Sequence, residues 1–365
     1  MHVPTLSCSL VLAILVASGL GMSPINANEI PSCTAATNAF EQNAAGAACD
    51  LANNLEKGFV YPAQGEAYAK ALRDHVAAGD YAKLSGEEAA RRITADLQTV
   101  ASDGHLRVVV ENPQGVPGGS GPNGFPALVE QGGWIAPGIA FIRINAFMPD
   151  DEETEEVARF MREHASAKAM IFDVRTNRGG GLAQMNEIFP WLFEKETRLV
   201  TMAMRRSVEE EHGTPFGEDA TLRQLQGTPL VTEREHWAIP NGDPRLHDAK
   251  VFVLTSENTN SAAEHFALAM KASGRATLVG SRTSGANHFG GMIPLPGGYA
   301  AFIPVGRTYD PATGKDWEGT GVLPEVDVPP ADALAWTLES LGIAKAEATR
   351  LSASHAPSGS MTRRR

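Results

Sequence analysis

The chain has 365 residues, 43% of them hydrophobic and 20% charged, enough apolar material for one large domain and a smaller one and too much for bulk disorder. The formal net charge of −12 excludes nucleic acid as the main partner, because phosphates are neutralised by clustered Lys and Arg, and the one dense basic run is residues 363–365.

Residues 10–20 are apolar and are followed by small and polar residues ending in Ile-Asn-Ala at residues 25–27. The run is shorter than the roughly 20 residues a bilayer-spanning helix needs, which predicts a cleaved secretory signal peptide over residues 1–27. An uncleaved anchor is the alternative, since His2 and the amino terminus supply the only positive charge. Cleavage near Ala27 removes Cys8 and leaves Cys33 and Cys49 in an oxidising compartment, where a disulfide between them is expected. The sequence therefore predicts a secreted or periplasmic protein with no stable membrane insertion after cleavage.

Residues 28–111 are Ala-rich with apolar residues at helical spacing, as in EAYAKALRDHV and GEEAARRITADLQTV, and predict a small domain of three or four helices. Residues 112–133 open with NPQGVPGGSGPNGFP and read as a linker. From residue 134 to 332, strands and helices alternate: strands at residues 139–147, 169–174 and 251–256, helices at residues 150–166, 185–193 and 262–272, and later strands at TLVG and AAFIPV. That alternation predicts an α/β core. Residues 205–235 are charged and carry no clear period. Residues 333–365 read as one helix and a polar tail.

The segment VFVLTSENTNSAAEHFALAMKASG passes from a buried strand through a polar loop into a helix that starts at Ser261. A serine at such a junction exposes its hydroxyl, and the N–H of Ala262 belongs to a helix N-terminus that favours an anion. One turn thus supplies a nucleophile and half of an oxyanion hole. The plainer reading of Ser261 is an N-cap, the commoner use of serine there. In AMIFDVRTNRGGG a strand runs into three glycines, whose backbone can approach a ligand closely and whose N–H groups can face developing negative charge. The spacing fits neither a phosphate loop nor a dinucleotide site.

A nucleophilic serine needs a base, and a histidine base needs a carboxylate. His105 in ASDGHLRVVV and His288 in SGANHFGG are the candidate histidines, each otherwise a surface or core residue, and Glu318 in DWEGTGVLPEV is the candidate carboxylate, otherwise a solvated turn residue. The cysteine spacing is not that of a metal site, and neither a metal nor another cofactor is expected.

Taken in order, TADLQTVASDGHLRV, IAFIRINAF, IFDVRTNRGGG, VFVLTSENTNSAAEHFA, ATLVGSRTSGANHFGG and DWEGTGVLPEVDVP resemble the S41 peptidase family, over roughly residues 45–335. The family includes the carboxyl-terminal processing proteases, tricorn protease and the interphotoreceptor retinoid-binding protein modules. The resemblance implies a crotonase/ClpP-like core behind a helical N-terminal domain. No PDZ domain fits in the roughly 30 residues between His105 and the strand at Ile139. In the processing proteases a catalytic Lys follows the serine; here Ala286 stands at the matching position. This departure points to the tricorn-like arrangement, with Ser261 as nucleophile, His105 as base, Glu318 as its carboxylate, Ala262 with Gly179 or Gly180 as oxyanion donors, and His288 as a substrate contact or competing base. The tricorn-type site has a Ser before its His, where this chain has Gly104. The expected activity is peptide-bond hydrolysis of a peptide or unfolded polypeptide through an acyl-enzyme. The rivals are an esterase and a non-catalytic retinoid or lipid carrier on the same fold. The sequence is silent on oligomeric state.

Overall fold

A computed structural model describes residues 33, 43–111, 127–216 and 219–362. The predicted leader, the Gly/Pro-rich part of the linker and residues 363–365 lie outside the described residues. No described helix is long and apolar enough to cross a membrane. Cys33 and Cys49 form the expected disulfide.

Three helices open the fold, α1 (Ala44–Gly58), α2 (Pro62–Ala77) and α3 (Gly86–Val100), followed by a short strand, β1 (Arg107–Val110). Asn43 caps α1 through the Gly46 N–H, and Pro62 starts α2, where its missing N–H costs nothing. Next come β2 (Val129–Ala136), β3 (Ile139–Ile144), α4 (Asp151–Glu163), β4 (Ala169–Asp173) and α5 (Ala183–Leu192). Strand β2 starts inside the stretch read as linker. It pairs antiparallel with β3 through the Gly138 turn, so these glycines serve a hairpin as well as a loop.

The charged stretch that lacked a period folds as β5 (Thr197–Arg205), α6 (Arg206–His212), β6 (Leu222–Gln224) and β7 (Val231–Ala238). It was illegible because β7, VTEREHWA, alternates charged half-buried residues with the buried Thr232, His236 and Ala238. The chain continues through β8 (Lys250–Thr255), α7 (Ala262–Ala272), β9 (Thr277–Gly280), β10 (Phe289–Leu295), β11 (Tyr299–Tyr309) and β12 (Val326–Asp327). It then makes α8 (Ala333–Ser340) and α9 (Lys345–Ser354). The second of these helices stands where the sequence predicts a polar tail; Ala348 and Leu351, three residues apart, bury the stripe that holds it.

One sheet has the order β12-β9-β8-β4-β3-β2, parallel except for the β2–β3 hairpin. Its strands are buried on both faces and their side chains alternate between two cores. Ile142, Met170, Phe172, Val251 and Val253 face a core shared with α4, α5 and α7. Phe141, Ile171, Phe252 and Leu254 face a second core closed by α8 and α9. The other sheet, β1-β11-β5-β7-β6 with β10 on β11, is antiparallel. One face of β1, β10 and β11 packs on the helices α1–α3, with Val108, Leu295, Tyr299, Ala301 and Ile303 sharing a core with Leu51, Leu55, Leu72, Ile93 and Leu97. The N-terminal helices are therefore joined to the second sheet by a continuous hydrophobic core, worth about 25 cal/mol per Å² of apolar surface removed from water.

Candidate active site

The carboxyl ends of β4 and β8 lie side by side, and the loops that leave them are tied together. Ser256 Oγ donates to the Arg175 carbonyl and Thr259 Oγ1 to that of Val174, at 2.5 and 2.9 Å, and the Asn260 N–H donates to the Asn177 carbonyl at 3.0 Å. Below them Asp173, fully buried, bonds Arg143 and Arg175. Burial pushes the Asp173 carboxyl up, but the two guanidiniums outweigh it and hold it below the usual range. The carboxyl ends of parallel strands are where α/β sheets place their ligand sites.

Ser261 sits at the end of this loop as the residue before α7, at φ 54° and ψ −119°. It is the one described non-glycine residue with positive φ. Ser261 is the N-cap residue of α7 and forms a capping box with Glu264, but an ordinary N-cap adopts extended geometry and carries no such strain, so this backbone marks a sharp strand-to-helix turn. The turn is locked from behind by Glu264, whose Oε2 accepts the Ser261 N–H at 2.9 Å. Glu264 also accepts Thr283 Oγ1 at 2.6 Å and the N–H groups of Gly285 and Ala286 at 2.7 and 2.9 Å. Burial still holds its carboxyl above the usual range.

The glycines after β4 press against the serine. A Cβ on Gly179, at φ 96°, would lie 2.7 Å from Ser261 Cβ and 2.9 Å from the Asn260 carbonyl oxygen. Gly180 forms a parallel bridge with Phe147: the Phe147 N–H donates to the Gly179 carbonyl at 2.8 Å and Gly181 N–H to the Phe147 carbonyl at 2.5 Å. In such a bridge the middle residue's own N–H points away from the partner. The Gly179 N–H is spent on Asn177 Oδ1 at 2.8 Å. Gly179→Ala is expected to lower kcat/KM by at least about 100-fold, because its methyl displaces the serine, and to cost about 1–3 kcal/mol at this φ. Gly291→Ala, with open space around the new methyl, is the control. Turnover and thermal melting of both variants check this.

His105 follows α3 on the opposite side. Asp103 Oδ1 accepts the N–H groups of His105 and Leu106, at 2.8 and 2.9 Å, which fixes the turn. The imidazole stacks on Phe302 of β11 with centroids 5.2 Å apart. His105 and Ser261 line one cavity of about 510 Å³, with Arg107, Arg178, Asn258 and Asn260 among the other walls. Ser261 and Ala262 also border a hollow of about 40 Å³ walled by Leu182, Met202, Phe289 and Trp317.

Glu318 stands behind the His105 turn. Its Oε1 accepts the Gly104 N–H at 2.7 Å, and its Oε2 accepts those of Asn287 and His288 at 2.6 and 3.3 Å. Burial holds its carboxyl above the usual range. His288 is 3% exposed and borders neither cavity. Its Nδ1 pairs with Asp103 Oδ2 at 2.6 Å and lies 3.8 Å from Glu318 Oε2. Burial lowers the His288 pKa, but the hydrogen bond and the neighbouring carboxylates raise it more; burial likewise raises Asp103, and His288 with the two N–H groups pulls it below the usual range. Among the described residues Asp103, His288 and Glu318 are the group whose ligand atoms lie close enough to hold a metal ion. His288 Nδ1 and the carboxylate oxygens are already paired with one another and with backbone N–H groups, while His288 Nε2 is buried without a hydrogen-bond partner, so the group reads as an internal polar network.

Sequence reasoning missed Asp103, although Asp-Gly two residues before a histidine is a turn signal. It also missed the buried pair His236 and His265, whose ring nitrogens Nδ1 and Nε2 are 2.9 Å apart. Burial keeps both neutral, His236 with a pKa lowered to about 4. Gly104 and Ala286 meet: a Cβ on Gly104 would lie 3.2 Å from Ala286 Cβ and 3.2 Å from Glu318 Oε1.

The sequence profile described as "Peptidase family S41" matches residues 138–328, just over half of the chain. The chain belongs to peptidase family S41. Over 192 residues it is 27% identical to a carboxyl-terminal-processing protease of Picosynechococcus sp., covering 52% of this chain and 39% of that one. Over 187 residues it is 27% identical to carboxyl-terminal-processing peptidase 3, chloroplastic, of Arabidopsis thaliana, covering 51% and 31%. This S41 chain thus spans well under half the length of those relatives. A solved structure from Parabacteroides merdae superimposes with a TM-score of 0.58 at 16% identity, over 84% of this chain and 98% of that one. The tricorn protease superimposes at 0.51 and 14% identity, over 82% and 36%. The α/β architecture with its N-terminal helices is thus that of S41 proteins.

Proposed function

We propose that the chain is a serine-type peptidase that hydrolyses peptide bonds through an acyl-enzyme formed on Ser261. The strained Ser261 backbone at the head of α7, pressed by Gly179, carries this reading, because such a turn has a cost in stability and gains exposure of a nucleophile. His105, on the wall of the same cavity, would take the hydroxyl proton and return it to the leaving amine. Glu318 would hold the His105 turn through the Gly104 N–H and supply the carboxylate. The Ala262 N–H at the start of α7 and the Gly180 N–H, directed away from Phe147, would stabilise the oxyanion. Commitment of the Gly179 N–H to Asn177 favours Gly180 over Gly179 in that role.

Ala286, at the position where a Ser-Lys enzyme would carry its lysine, offers no base and meets Gly104, the residue before His105, which supports a histidine base. His288, buried and tied to Asp103, fits the role of a support for the turn rather than a substrate contact. The small apolar hollow beside Ser261 suits a short apolar side chain of the substrate. The larger cavity, walled by Arg107, Arg178, Asn258 and Asn260, suits polypeptide backbone and is a poor match for a retinoid or lipid tail. The Cys33–Cys49 disulfide supports action in an oxidising compartment.

A fluorophosphonate is expected to label the protein once, at Ser261, and labelling is expected to stop hydrolysis of unfolded casein. Label mapped to another residue, or casein cleavage that survives full labelling, would overturn the assignment. Faster turnover of a p-nitrophenyl ester with no cleavage of casein would make the protein an esterase.

A further inference from the structure

Residues 355–362 run from the end of α9 to the Ser261 cavity, and three contacts set their course. The His355 carbonyl accepts from Nη2 of the fully buried Arg143. The Ser358 N–H donates to Glu130 Oε1 at 2.9 Å, a carboxylate that also accepts Asn145 Nδ2 at 3.1 Å. The Ser360 carbonyl accepts Asn258 Nδ2 at 2.8 Å. Asn258 belongs to the loop between β8 and Ser261, and Ser360 and Thr362 themselves form part of the wall of the 510 Å³ cavity beside His105 and Ser261. The segment is held by its backbone at each contact, with the side chains of Ser358 and Ser360 left out of the three bonds. Recognition of this kind reads an extended chain and not a particular sequence.

We propose that residues 357–362 are a built-in ligand of the Ser261 cavity, occupying a subsite for extended polypeptide backbone in which the Asn258 side-chain amide binds a carbonyl. The inference rests on reading the cavity as the peptidase site. A polypeptide substrate has to displace the segment, and a tethered ligand competes at an effective concentration in the millimolar range. Glu130 serves as the second backbone contact of the subsite, accepting an N–H two residues before the carbonyl that Asn258 binds.

The test uses a fluorescein-labelled peptide with the sequence of residues 355–365, the same peptide N-methylated at the position of Ser358 so that the N–H held by Glu130 is lost, and anisotropy. A variant lacking residues 357–365, which removes no helix, is expected to bind the peptide at least about tenfold more tightly than the full chain, because the subsite is vacated. Asn258→Ala in the shortened chain is expected to lose most of that binding. Ser358→Pro in the full chain, which removes the N–H held by Glu130, is expected to move affinity toward that of the shortened chain. Equal affinity of the full and shortened chains, binding that Asn258→Ala leaves intact, or undiminished binding of the N-methylated peptide overturns the proposal. Fluorophosphonate labelling of the same proteins separates the two readings: peptide binding that depends on Asn258 and on the Ser358 N–H, without any label at Ser261, retains the subsite and sinks the hydrolase.

Discussion

Ser261→Ala is expected to lower turnover by about 10⁴- to 10⁶-fold, the range seen when a serine hydrolase loses its nucleophile, and to abolish fluorophosphonate labelling while leaving the melting curve nearly unchanged. Alanine has the same Cβ as serine and bears the same cost at φ 54°. Glycine does not. Ser261→Gly is therefore expected to be as inactive as Ser261→Ala and more stable by about 1–2 kcal/mol, because the strain at a left-handed position is relieved. Measured side by side by chemical denaturation, the pair separates the chemistry of the hydroxyl from the cost of presenting it. Glycine and alanine variants of equal stability would show that the turn stores no strain.

The second large effect divides the two histidines. His105→Ala is expected to reduce kcat by about 10³- to 10⁴-fold at little cost in stability, as removal of a general base does. His288→Ala is expected to do the reverse, destabilising by about 3–5 kcal/mol because Asp103 is left buried without its partner, with activity lost only in proportion to unfolding. The pH dependence carries the same distinction. His288 has a folded pKa above 6.5, so its contribution to stability is complete below pH 6.5 and is lost as pH rises through the folded value. Asp103 has a folded pKa below 3.8, so its contribution is complete above pH 3.8 and is lost as pH falls through the folded value. The stability gap between wild type and His288→Ala is expected to be widest between those limits, near pH 5, and to narrow in alkali. A gap that widens in alkali would mean that His288 acts as the neutral imidazole.

Much of this arrangement could be read from residue order because local and long-range preferences agree there. Helix α7 spans Ala262–Ala272 as its apolar content and the preceding strand imply, and the buried strands β4 and β8 are built on the apolar runs AMIF and VFVL. Strand β10 escaped because SGANHFGG reads as a glycine-rich turn and Pro294 is a poor strand former; it pairs along β11, and Gly290 is required there because a Cβ would strike the Ile303 carbonyl oxygen at 1.9 Å. The support of the His105 turn was equally hidden. Asp103, His288 and Glu318 are far apart in the chain and meet only once the helices dock on the second sheet. The course of residues 355–362 had no signal at all, since its contacts use backbone atoms that every residue possesses.

The proposed nucleophile and its proposed base arrive on different layers. Ser261 is presented by the parallel sheet and α7, whereas His105 rides on the junction between α3 and β1, whose place is set by the core that the N-terminal helices share with β10 and β11. A nascent or partly unfolded chain with only one layer in place would hold an exposed serine without a partner to deprotonate it. On the proposed reading, hydrolysis would therefore require both layers to be in place, and a chain with only one of them assembled would leave its neighbours intact.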